Sequence, residues 1–218
     1  VTEIGTEIAQ AIAEDAEALA LLHDREPTPA LIEALREAGF PGGLGLLPAS
    51  PAAVAAWRAM AEGLAALPEP LTAADADQLA AEYAALYLTG AHGASPCESA
   101  WTSEEGLVCQ EAMFAWRAQH QAAGLAAADW RRRPDDHLVL QLLYLARVAR
   151  QAATTADWRA LATVLDEHPL HWLPGFAARV AARSASPFYA GLAVLTVAWL
   201  ESLRDLLAAG LGEPRPGG

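Results

Sequence analysis

Apolar residues recur along this chain at three- and four-residue spacings, and short breaks of proline, glycine and small hydroxyl residues separate the runs. In residues 3–23, Ile4, Ile8, Ala11 and Ile12, then Ala18, Leu19 and Leu22, fall near the 3.6-residue period and predict an amphipathic helix. Thr28-Pro29 offers an N-cap and a proline at the first helical position, ahead of Leu31, Ile32 and Leu35. Gly39 stops that helix. Ser50-Pro51 repeats the device before a helix from Val54 to Leu67, with Trp57, Met60 and Leu64 on one face. Thr72, with Asp75 three positions on, opens a fourth helix through Leu88, on which Tyr83, Leu86 and Tyr87 share a face. Taken alone, that triplet reads as core.

A long loop rich in Gly, Ser and Pro follows, and loops of that length tend to be functional or disordered. Thr102 and Glu105 then predict a capping box for a helix carrying Leu107, Met113, Phe114 and Trp116, ended by Gly124. A connector containing Trp130 leads into Arg131, Arg132, Arg133, Pro134, Asp135, Asp136 and His137. Pro134 disfavours the α conformation at Arg133, and the two aspartates can accept free N–H groups at the start of the next helix. Leu138, Leu142, Leu145, Val148 and Ala149 keep one face of that helix, and Thr155 or Asp157 restarts the next, carrying Trp158, Leu161 and Leu165. Ser186-Pro187 caps a long apolar helix from Phe188 to Leu207, with a frayed tail after it.

Every apolar segment having the helical period, the fold class is all-α. Among 218 residues, 27 acids stand against 14 cations, a net charge of -13. That argues against a nucleic-acid partner, which needs clustered cations, and suits a cationic ligand. Cys97 and Cys109 form neither a metal spacing nor a disulfide framework. No basic N-terminal signal segment precedes the first helix, and no apolar run reaches the roughly 20 residues needed to cross a bilayer. The expected location is cytoplasmic, without membrane insertion.

Taken in order, several features resemble the TorD/DmsD/NarJ family of molybdoenzyme maturation chaperones. They are Tyr83-x-x-Leu86-Tyr87, a glycine-containing loop, Pro96-x-Glu98-Ser99 with Trp101 two residues later, and Glu104-Glu105-Gly106-Leu107. Pro134-Asp135-Asp136-His137-Leu138, Leu165-x-x-His168-x-x-x-Trp172-x-Pro174-x-Phe176 and Pro187-Phe188-Tyr189 continue the series. The likeness covers roughly residues 72–205; the first seventy match only as helices. Three positions depart from it: Cys97 stands where an aromatic is common, Arg133 where a glutamate often precedes the proline, and Gln141 in place of a frequent glutamate.

The resemblance implies one TorD-like domain of two helical lobes, about 1–123 and about 137–210. A hinge at about 124–136 joins them, and the tail is 211–218. It also implies binding of the twin-arginine or leader-like N-terminal segment of a molybdopterin-dependent oxidoreductase, held for cofactor insertion. Such a peptide needs an apolar groove beside carboxylates. Tyr83, Leu86, Tyr87, Pro96 and Trp101 would line the groove, and Glu98, Asp135 and Asp136 would meet the guanidinium groups. Ser99, Pro134, His137 and Gln141 complete the candidate set. His137 is either a contact to the peptide, a support within hydrogen-bond range of those carboxylates, or a satisfied histidine at a helix start. No cofactor or nucleotide motif is visible, and no catalytic residue is assigned. A monomer and a domain-swapped dimer are both compatible with the resemblance. Two other readings are kept: a helical scaffold or assembly subunit for a mature partner, and a metal-dependent hydrolase. The hydrolase would use Asp135, Asp136 and His137 with His168 and His171, although Pro169 between the last two argues for a helix break.

Overall fold

Proline and hydroxyl caps divide the chain into helices at nearly every expected break. The computed structural model describes residues 4–215. Its helices are α1 (Thr6–Asp24), α2 (Pro29–Glu37), α3 (Pro51–Ala65), α4 (Ala73–Tyr83) and α5 (Ser99–Thr102). They continue with α6 (Glu111–Ala122), α7 (Leu138–Gln151), α8 (Thr155–Glu167), α9 (Pro169–Arg183) and α10 (Pro187–Leu211). The fold is all-α; among the described residues no strand forms, and Cys97 and His137 make an isolated antiparallel bridge.

The caps explain the starts. Thr28 Oγ1 accepts from the Leu31 amide at 3.2 Å and Ser50 Oγ from the Ala53 amide at 3.0 Å. Thr72 and Asp75 form a reciprocal capping box on α4, as do Thr154 and Asp157 on α8. Proline occupies the first turn of α2, α3, α9 and α10, where its missing N–H leaves no bond unmade. The fourth helix does reach Leu88, but its last turn, Ala84–Leu88, widens into a π-helical turn.

Three expectations need correction. Thr102 does not cap the helix carrying Trp116: it closes the short α5, and α6 starts only at Glu111. Gly106 and Cys109, both at positive φ (66° and 61°), turn the chain between the two, so Leu107 lies in a loop. Asp135 and Asp136 do not cap α7 either; His137 is its N-cap, its Nδ1 accepting from the Val139 amide at 3.2 Å. Finally, α10 extends through the buried Gly210 to Leu211, and Arg215 pairs with Asp205 at 3.0 Å. Residues 216–218 of the expected tail, like Glu3 of the first helix, lie outside the described residues.

Apolar packing is continuous through one core. α10 lies against α3 and α9, while α1 runs along α7, so helices from the two halves of the chain alternate in it. Gly191 lets α10 approach α3 closely, since a Cβ there would stand 2.8 Å from Met60 Cα. Trp199 Nε1 donates to the buried Asp15 at 2.9 Å, tying α10 to α1. No helix is long and apolar enough to cross a membrane among the described residues.

Candidate functional site

Two loops carry most of the chemistry, and the fold joins them. The first precedes α5 and the second precedes α7. The Leu138 amide donates to the Pro96 carbonyl at 2.8 Å, and the Glu98 amide to the Asp136 carbonyl at 3.2 Å. This pairing seats the Asp136 carboxylate over the start of α5. Its Oδ2 accepts from the Ser99 amide at 2.8 Å and from the Ser99 hydroxyl. Asp136 therefore caps a helix 37 positions away rather than its own. It is fully buried, Oδ1 lacks a partner among the described residues, and burial pushes its carboxyl above the ordinary aspartate range.

Glu98 gathers four elements at one buried carboxylate. Oε2 accepts from Trp116 Nε1 on α6 at 2.7 Å and from Gln141 Nε2 on α7 at 3.0 Å. Oε1 lies 2.8 Å from Nδ1 of His168, the residue between α8 and α9. Gln141 also donates to the Asp136 carbonyl at 3.0 Å and accepts from Trp172 Nε1 at 3.2 Å. A buried carboxylate with several donors is well satisfied, and losing one donor exposes its desolvation penalty.

Asp135 is held differently. Arg117 of α6 donates to its Oδ2 through Nε at 3.1 Å and Nη2 at 2.8 Å. The Asp135 Oδ1 stands 3.7 Å from Nδ1 of His120, another buried α6 side chain.

The aromatic triplet faces inward. Tyr83 and Tyr87 stack at 4.8 Å between ring centres, and Leu86 has no exposed surface. Tyr83 donates to the Asp24 carbonyl at 2.6 Å. Tyr87 lies 2.7 Å from Nδ1 of the buried His23, whose Nε2 is 2.9 Å from Thr196 Oγ1. Because the Thr196 hydroxyl donates to the Leu192 carbonyl, His23 donates through Nε2, and in the neutral form that burial favours its Nδ1 accepts from the Tyr87 hydroxyl. Burial accordingly lowers its pKa to about 3.

Thus Tyr83, Leu86, Tyr87, Pro96, Glu98, Ser99, Pro134, Asp135, Asp136, His137 and Gln141 are all buried, and Trp101 is half-buried. The structure brings Pro96, Glu98, Ser99, Asp136 and Gln141 into one connected network, while Asp135 turns away from it to Arg117. His137 stands apart from the carboxylates: it hydrogen-bonds its own helix, and burial holds its pKa near 3. Residue patterns did not flag Arg117, His120, His23 or Thr196. The indoles of Trp116 and Trp172 carried the one usable signal, since a buried indole N–H requires an acceptor.

Beside the network opens a cleft of about 710 Å³ whose charged lining is Glu98, Glu104, Glu105, Glu111 and Glu167, with His168 and His171. Among the described residues no arginine lines it. Leu107 and Val108, between Glu105 and Glu111 in the chain, are exposed, as is Phe114 one turn into α6. Among the described residues no group of three or more His, Cys, Asp or Glu side chains is placed to hold a metal ion.

The nitrate reductase delta subunit family model matches residues 48–178. The chain is 33% identical over 138 residues to a Chaperone protein TorD of Shewanella loihica, covering 60% of this chain and 63% of that protein. It is 31% identical over 133 residues to a Chaperone protein TorD of Shewanella piezotolerans (57% and 60%). The Chaperone protein YcdY of Escherichia coli is 31% identical over 133 residues (61% and 67%). The chain spans about 60% of the length of the TorD relatives it matches. With its all-helical core and joined loops, the chain belongs to the nitrate reductase delta subunit family, which takes in the TorD-like chaperones.

Proposed function

We propose that the chain is a maturation chaperone that binds the N-terminal leader of a molybdopterin-dependent oxidoreductase in the cytoplasm and holds it for cofactor insertion. Family membership supports the chaperone role. The observation that carries the peptide reading is the acid-lined cleft beside the joined loops. Among the described residues five glutamates and no arginine form its charged lining apart from two histidines, and the exposed Leu107, Val108 and Phe114 belong to the same stretch of chain, 102–115, that supplies most of that lining. That combination complements an arginine pair followed by an apolar stretch.

Of the candidate contacts Tyr83, Leu86, Tyr87, Pro96, Glu98, Ser99, Trp101, Pro134, Asp135, Asp136, His137 and Gln141, Glu98 lines the cleft, and the others would meet the peptide beyond it. Direct contact with the buried members requires the two loops to part, breaking the bonds to Asp136 and Glu98. First contact therefore falls to the exposed glutamates, with deeper contacts following if the loops separate. Calorimetry with a synthetic peptide of an arginine pair and an apolar stretch tests the reading. Binding should be lost when both arginines become glutamine, and equal binding of the two peptides would overturn it.

A further inference from the structure

Asp135 already holds a guanidinium. The Arg117 fork grips its Oδ2, and the guanidinium carbon lies 4.9 Å from the Trp130 ring centre and 5.7 Å from that of Phe114. A carboxylate flanked by aromatic faces is what a receptor offers to an arginine side chain arriving on a ligand. Next to it lies a cavity of about 240 Å³, reached by Asp135, His120, Trp130 and Leu125. The His120 side chain is only 4% exposed, and its Nδ1 has no hydrogen-bond partner among the described residues. Asp135 Oδ1 and the unpartnered His120 Nδ1 thus stand 3.7 Å apart at the cavity, with no other donor between them among the described residues. Burial lowers the pKa of His120 against the opposing pull of Asp135, which favours the neutral imidazole.

We infer that Arg117 is a built-in occupant of an arginine site on Asp135, and that an arginine side chain of a bound peptide displaces it into solvent. The incoming guanidinium bonds Asp135 and reaches His120 Nδ1 from the cavity. This rests on the peptide-binding reading above and adds its regulation. Asp135 is buried, so leaving its carboxylate unpaired is unfavourable, and the half-buried Arg117 stays until another guanidinium replaces it. Lysine lacks the planar fork and is a poor substitute, which makes the site selective for arginine over lysine.

The test compares wild type with Arg117→Gln against three synthetic peptides that differ only in carrying Arg-Arg, Lys-Lys or Gln-Gln before the apolar stretch. Arg117→Gln should bind the Arg-Arg peptide about fivefold more tightly than wild type, as expected for loss of a partly exposed competing pair. The Gln-Gln peptide should gain nothing. Should the variant fail to fold, nitrogen-15 spectra of wild type decide. The Arg117 Nε–H signal should shift and lose exchange protection on addition of the Arg-Arg peptide and stay put with Gln-Gln. Peptide binding with an unmoved Arg117 signal, or a variant that binds no better than wild type, overturns the inference alone. Failure of both proteins to bind the Arg-Arg peptide overturns the peptide reading beneath it.

Discussion

Gln141 Nε2 donates to Glu98 Oε2 across 3.0 Å, and only an amide at position 141 can both make that bond and accept from Trp172. Gln141→Glu would set a second carboxylate against Glu98 in a buried site. It should lower stability by roughly 2–4 kcal/mol at neutral pH, from a lost donor and an unpaired buried charge. Chemical denaturation checks this, and part of the loss should return in mild acid as the carboxylate pair takes up a proton.

Asp136→Asn should behave in the opposite way. The asparagine oxygen can accept both Ser99 bonds, and the variant no longer buries an ionisable group. The folded pKa of Asp136 is raised, so its contribution is full below the unfolded value and declines as pH rises through the folded one. The variant should therefore gain on wild type as pH rises from the unfolded aspartate value through the raised folded one. Asp136→Ala should cost roughly 1–3 kcal/mol, because Ser99 loses its acceptor. Melting curves of the two variants at several pH values separate these outcomes.

Acid should weaken the fold well above the carboxylate range. His23 and His137 titrate near 3 when folded, against an ordinary value of 6.5. Between those values the unfolded chain binds protons that the native chain refuses, so stability falls as pH drops from 6.5 toward 3. Each histidine adds a slope of up to roughly 1.4 kcal/mol per pH unit. Asp136 opposes this with the sign given above, and the two histidines outweigh it. The melting temperature should drop between pH 7 and pH 5, and His23→Gln should flatten that drop. A wild-type melting temperature constant over this range would contradict the neutral buried pair.

Local signals in the residue pattern were sound where the partner was near in sequence. Thr28, Ser50 and Thr72 cap the helices they precede, because a cap and its amide are three positions apart. The shared face of Tyr83, Leu86 and Tyr87 was equally legible, but not what covers it: His23 and Tyr189 arrive from distant helices. Asp135 and Asp136 read as partners for donors, and they are. Their donors sit on Arg117 and Ser99, which only the tertiary fold selects. The Thr102 and Glu105 pattern misled for a related reason: Gly106 and Cys109 adopt left-handed turns, and the helix waits until Glu111.

The central claim is that this fold takes an arginine-bearing leader through its acid-lined cleft, and one titration tests it most directly. Wild type and a Glu104→Gln, Glu105→Gln, Glu111→Gln triple variant would be titrated with the Arg-Arg peptide at low and high salt. All three glutamates are exposed and outside the buried network, so the variant should fold normally. The account predicts tight binding by wild type at low salt, at least about tenfold weaker binding by the variant, and a smaller salt dependence for the variant. Equal affinity and equal salt dependence for the two proteins would contradict it.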